Sequence, residues 1–229
     1  MRALVIALRS LSREWRYGEL AVLLFSLSVA VGALSGVGFL VDRISRAIQL
    51  QASEILAADI RVQSRAALSP DDTSQAEALG LATARVTTLL SSVFHGDANQ
   101  LANIRAVTSR YPLRGTLTIA QQPFATGTAT RQIPAPGEAW AESRLAAALG
   151  AGIGADIMVG AKMLKLSAIL VSRPDQGSGF VDFAATLLIN DADLAATELV
   201  QPASRMRYAL LLAGERAQLQ AFRDWHGSQ

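Results

Sequence analysis

The chain has 229 residues, is 51% hydrophobic and carries a formal net charge of +2. That hydrophobic share is high for a water-soluble chain and points to a localised apolar segment. With no cysteine, disulfide frameworks and thiolate metal sites are excluded.

At the N-terminus, Leu4, Leu8, Leu11 and Trp15 recur at helical spacing, with Arg9, Arg13 and Arg16 on other faces. The spacing predicts a basic amphipathic helix over 1–18 at the cytoplasmic membrane surface, with Trp15 and Tyr17 at an aromatic interface belt. Leu20 to Val41 follows as an uncharged run of 22 residues. As a helix it is about 33 Å long, enough to cross a hydrocarbon core. Later apolar runs do not qualify, because Arg144, Asp156, Lys162, Lys165 and Asp182 interrupt them.

Of the 21 basic and 19 acidic residues, four and two fall in residues 1–19, so the whole positive excess precedes the span. This positive-inside pattern places the N-terminus in the cytoplasm and the remainder outside. A cleaved signal peptide is the competing reading, and Ala30-Val31-Gly32 has the small residues a cleavage site uses. Its apolar region is normally about 7 to 15 residues, shorter than this run.

Within the span, Ser28, Gly32 and Gly36 repeat every four residues and form a small-residue stripe on which another helix can pack closely. Beyond it, Ile44, Ile48 and Ile55, with Ala47 and Ala52, keep an apolar stripe going to Ala58. The membrane helix is therefore expected over 19–42 and a helical stalk over 43–58. Asp59 to Gln63 then alternates with period two and predicts a strand that opens an outer domain over 59–229.

In that domain, Ser69-Pro70-Asp71-Asp72 is a helix start and Gly80 its stop. Val86 to Phe94 and Gln100 to Ser109 read as a hairpin around the turn cluster His95 to Asn99. Thr116 to Ile119 reads as a short strand, Pro123 to Pro136 as an irregular connection between two subdomains, and Glu142 to Leu149 as a helix closed by Gly150. Strands follow at Ile157 to Val159, Lys165 to Val171 and Met206 to Leu212, with a last helix from Glu215 to Trp225. The fold class is α+β.

No chemical constellation emerges. His95 and His226 stand apart in a turn and a terminal segment, and no HExxH, Walker loop or nucleophile elbow is present. Gly150-Ala151-Gly152-Ile153-Gly154 follows a helix and precedes a strand, the reverse of a phosphate-binding glycine loop, so it reads as a helix cap and turn. Asp71 and Asp72 suit a helix dipole, and Asp191 and Asp193 a loop or short helical turn. Basic and acidic residues balance after the span with no basic block, which argues against nucleic acid as a partner. No catalytic residue, cofactor or metal is expected.

Two blocks carry a resemblance. The first is SGVGFLVDRI from Ser35 with QASEILAADIRVQS from Gln51. The second is GEAWAESRLAAALG from Gly137, then Asp156 to Gly160, Pro174 to Gly177 and LLINDADLAATELVQPAS from Leu187. In order and spacing they resemble bacterial ABC-transporter permeases of the FtsX/MacB-like class, in particular the YbbP-like branch, over about residues 20–225.

The resemblance implies a first membrane span and a MacB-like periplasmic mixed α/β domain, in the bacterial inner membrane. It also implies further permease helices or a second permease subunit, a separate cytoplasmic ABC ATPase that does the hydrolysis, and a lipid-like or lipoprotein-like substrate. Because such permeases have later membrane helices, it implies an N-terminal fragment, a truncated product or a split permease. The competing expectation is a single-span anchored interaction or sensor module that binds a periplasmic partner without transport.

Overall fold

The computed structural model describes residues 19–176, 184–201 and 205–227. The chain divides into two compact units, residues 1–50 and 51–229. The amphipathic helix expected over 1–18, with Leu4, Leu8, Leu11 and Trp15, lies outside the described residues.

The first element, α1 (Glu19–Leu56), is one helix of 38 residues. Among the described residues, Leu24–Val41 is its one window long and apolar enough to cross a membrane, with mean hydropathy 2.1. The Ser28 hydroxyl donates to the Leu24 carbonyl at 2.7 Å. That polar group is thus satisfied within the helix, as a hydrocarbon surrounding requires. Ile44, Ile48 and Ile55 have helical backbones, and their side chains lie outside the described residues. The helix stops at Leu56, two residues before the expected stalk end, because Ala57 adopts φ +57° and a left-handed residue terminates an α-helix.

The second unit is built on ten strands: β1 (Ile60–Ser64), β2 (Ala82–His95), β3 (Ala98–Val107), β4 (Leu117–Ala120), β5 (Thr128–Thr130), β6 (Glu138–Glu142), β7 (Asp156–Val159), β8 (Lys162–Ser172), β9 (Ala185–Asn190) and β10 (Arg207–Ala213). They pair in the order β1-β10-β2-β3-β9-β6-β8-β4-β5, and β7 pairs with both β2 and β8. Strands β2, β3, β9, β6, β8 and β7 therefore close a hydrogen-bonded ring. Pairing is parallel at β3–β9 and β6–β8 and antiparallel elsewhere.

Alternation sorts the side chains into cores. Val93, Ile104, Ile157, Leu164, Leu166, Leu187 and Ile189 gather in one, joined by Leu145 and Leu149 of α3 (Ser143–Leu149). On the opposite sheet face, Val86, Val107, Trp140, Leu188 and Leu211 form a second core with Tyr111, Leu117, Ala57 and Ala58. Near the β1–β10 edge, α2 (Pro70–Ala78) and α5 (Arg216–His226) close a third around Leu210, Leu212 and Phe222. Burying a side chain such as Phe222 contributes about 1.5–3 kcal/mol.

Several local expectations have clear physical counterparts. Ser69 caps α2 by accepting from the Asp71 N–H at 3.2 Å, with Pro70 in the first turn. Gly150, at φ +62°, ends α3 as its C-cap. The β2–β3 hairpin turns on Gly96, at φ +55°, and Asp97. Asp191 and Asp193 sit in a short turn, α4 (Asp191–Leu194), capped by Asn190.

Three strands, β5, β6 and β9, lie where the sequence suggests none, β5 inside the stretch Pro123–Pro136 expected to be irregular. Glu138–Glu142 is rich in alanine and glutamate, yet it is held extended by β8 on one side and β9 on the other. Across the connection Pro123–Pro136, β4 before it and β6 after it both pair with β8, so the hydrogen-bonded sheet runs through both sides.

Candidate functional site

The foot of the long helix is the best-defined polar construction near a backbone transition. Ala57 and Ala58 are fully buried in the second core. Next to them, Arg114 donates from Nε to Asp59 Oδ1 at 3.0 Å and from Nη2 to Oδ2 at 2.6 Å. Oδ2 also accepts the Gly214 N–H at 3.1 Å. The backbone is tied as well, by Arg114 N–H to Ala57 carbonyl at 3.0 Å and Asp59 N–H to Leu212 carbonyl at 2.9 Å. A bidentate guanidinium fixes orientation as well as distance. Residues 57–59 are thereby locked to the segment after β3 and to the end of β10.

Two residues beyond Asp59, β1 sends Arg61 into a second construction. Its Nη1 donates to Asp175 Oδ2 at 3.2 Å, and Arg105 of β3 donates to the same oxygen. Tyr111 donates its hydroxyl to Asp175 Oδ1 at 2.6 Å, with Arg173 Nε 3.5 Å from that atom. Arg173 also reaches Glu142 Oε1 and Thr186 Oγ1, each at 2.9 Å. The Asp175 and Arg173 side chains are each 1% exposed. Strands β1, β3, β6 and β9 thus meet at one carboxylate and its neighbours.

Burial alone would push the Asp175 carboxyl up, but Arg105, the Tyr111 hydroxyl, Arg173 and Arg61 together hold it below the ordinary carboxylate range. Tyr111 is pushed far up, by burial first and then by the Asp175 charge. Arg61 is lowered by burial, partly offset by Asp175. A depressed carboxylate surrounded by donors is a poor proton acceptor at neutral pH. The arrangement serves to join elements, not to move protons.

The residues singled out from the sequence do not converge on these constructions. Ser28, Gly32 and Gly36 lie in α1, where a Cβ added to either glycine meets nothing within 4 Å. His95 ends β2 with Nδ1 2.8 Å from the Asp156 carbonyl oxygen. His226 has Nδ1 3.2 Å from Asp72 Oδ1 and stacks on Phe222, so it braces α5 to α2 instead of standing free at the terminus. Among the described residues no group of three His, Asp or Glu side chains is placed to hold a metal ion.

The buried arginine network was not anticipated. Its one local signal is an arginine inside an apolar strand, Arg61 in IRVQS and Arg105 in NIRAV. Asp175, 114 residues from Arg61, has no local signal at all.

The "Uncharacterized ABC transporter permease YbbP" of Escherichia coli (strain K12) is 30% identical over 213 residues, covering 93% of this chain and 26% of that protein. The chain thus spans about a quarter of that relative's length. Two solved structures are similar: the extracellular domain of the noncanonic ABC-type transporter YknZ from Gram-positive bacteria and the periplasmic region of MacB from Actinobacillus actinomycetemcomitans. The first has 10% identity and TM-score 0.46, covering 70% of this chain and 84% of that one. The second has 10% identity and TM-score 0.48, covering 79% and 89%. The family described as "MacB-like periplasmic core domain" matches residues 20–225, nearly the full length, and this chain belongs to that family.

Proposed function

We propose that the chain works as the membrane-anchored part of an ABC transporter permease in the bacterial inner membrane, with its N-terminus cytoplasmic and residues 59–229 periplasmic. A separate cytoplasmic ATPase supplies the work. Motion of the membrane helices passes along α1 into the outer domain, which acts mechanically in the export or extraction of lipid-like or lipoprotein-like material. The stripe Ser28, Gly32 and Gly36 receives another permease helix, where close backbone approach replaces side-chain interdigitation.

The observation that carries this reading is the foot of α1. Ala57 and Ala58 are fully buried, and Asp59 is held by two hydrogen bonds from Arg114 and one from Gly214. A tether that only anchored a domain would need no such grip, because a flexible linker would serve.

The test is to replace Ile48 by proline, which removes a helix hydrogen bond and adds a clash, costing the helix about 3 kcal/mol or more. In membranes holding the chain with its permease and ATPase partners, substrate release should fall while the heat-unfolding midpoint of the outer domain stays unchanged. Full transport with the broken helix would refute transmission through the stalk. Purification from detergent beside tagged ATPase and permease subunits tests the assembly, and recovery of neither would refute the transporter reading. Gly32→Leu with Gly36→Leu should abolish the recovery.

A further inference from the structure

We infer that the outer domain carries a seat for a phospholipid of net negative charge, with an arginine-lined cleft for the anionic head group and an exposed apolar stripe for an acyl chain. The inference rests on the transport reading only for the role of that lipid as cargo, and it names the head-group chemistry.

The placement follows from strand register. Arg61 and Gln63 of β1 lie opposite Leu211 and Ala209, which belong to the second core. Arg65 follows Ser64, the last residue of β1. Arg207 lies opposite Thr88, two residues beyond Val86 of that core, and Arg205 precedes it by two. The end of β1 and the start of β10 therefore bring three arginines together beside Thr88. They line one cleft of about 640 Å³ together with Thr88, Asn103 and Leu90. Among the described residues no carboxylate lies within 4.0 Å of Arg65, Arg205 or Arg207.

A cleft with three cations and no acid in its lining is the complement of a multiply bonded anion, and the guanidinium fork matches phosphate oxygens. Away from the arginines the sheet surface continues as hydrocarbon. Leu90 and Leu101 are 61% and 58% exposed. Phe94 lies opposite Met158, and Met158 opposite Met163, each of the three also exposed. A contiguous apolar surface of this kind marks a binding surface, and methionine adapts to flexible partners. A free phosphate would use the cleft and leave the stripe uncovered. An anionic phospholipid covers both, whereas the choline cation of a zwitterionic one opposes the three guanidiniums.

The experiment uses the full chain in dodecyl maltoside micelles doped with phosphatidylglycerol or phosphatidylcholine, each with a light-activated group in its acyl chain. Label on residues 88–104 and 156–165 is read by mass spectrometry. Phosphatidylglycerol should label these segments about tenfold more than phosphatidylcholine, and R65Q/R205Q/R207Q should lower that labelling about tenfold, the loss expected for one or more charge-assisted hydrogen bonds. Millimolar inorganic phosphate should leave the label within about twofold, because the acyl chain adds binding that free phosphate lacks.

Equal labelling by both lipids, undiminished labelling of the triple variant, or full displacement by inorganic phosphate would each overturn the seat. If the triple variant does not fold, Arg207→Gln alone decides, since a drop of about threefold supports the site and no drop overturns it. The labelling is independent of the Ile48→Pro transport test, so failure of one reading is distinct from failure of the other.

Discussion

Tyr111 donates its hydroxyl to Asp175 Oδ1 at 2.6 Å, bringing together two fully buried side chains 64 residues apart. The phenol is thereby both a core-filling ring and a ligand for the carboxylate. Tyr111→Phe keeps the ring and deletes one donor. Urea unfolding of the detergent-solubilised chain should show a loss of about 1–3 kcal/mol, the usual result of leaving a buried acceptor short of a partner.

Asp175→Asn should cost more, about 3–5 kcal/mol, because the guanidiniums of Arg61, Arg105 and Arg173 would lose their shared counter-charge in a buried setting. The pH dependence has a definite sign. The folded-state pKa of Asp175 is lowered, so its contribution is fully present above the unfolded carboxylate value near 3.9 and is lost as pH falls through the folded value. Melting of the wild-type chain should steepen on the acid side below about pH 4. The same limb should flatten in Asp175→Asn.

The fold was legible wherever a local pattern carried the information. The apolar run before Val41, the Ser69–Pro70 helix start, the Gly96 turn and the Gly150 cap all depend on residues a few positions apart. β6 was not legible because Glu138–Glu142 has helix-favouring residues, and neighbours from β8 and β9 overrule that preference. The network around Asp175 depends on five separate segments meeting. Nothing in any one of them announces the others.

At the helix foot, Asp59→Ala should destabilise the chain by about 1–3 kcal/mol, since it strips partners from both Arg114 and the Gly214 N–H. Arg114→Ala should cost less, because that side chain is 41% exposed and water replaces part of what it gives. Denaturant midpoints of the two variants check the order.

Ala57→Gly should stabilise the chain by about 0.5–1 kcal/mol. The left-handed backbone at φ +57° strains an alanine but not a glycine, and the greater freedom of glycine in the unfolded chain takes back part of the gain. A rise in the thermal midpoint is the expected readout.

Gly160 and Gly150 separate two sources of strain. Both have positive φ, but a Cβ on Gly160 would stand 2.0 Å from the Thr197 carbonyl oxygen, whereas one on Gly150 meets nothing within 4 Å. Gly150→Ala should cost about 1–2 kcal/mol from backbone strain alone. Gly160→Ala adds overpacking of about 1–3 kcal/mol. Thermal unfolding of the pair measures the difference.

The antiparallel pairing of β1 with β10 bears on how the outer domain withstands a pull. β1 begins immediately after Asp59 and meets β10 through five register pairs, Ile60↔Leu212 to Ser64↔Tyr208. Tension entering along β1 from its first residue loads those pairs in shear, all together, instead of peeling them apart one by one. Arg61, fastened to Asp175 from the first turn of the pleat, adds a crossbolt to that joint. The short edge strand is therefore joined to its neighbour in the geometry that resists a pull along its own axis.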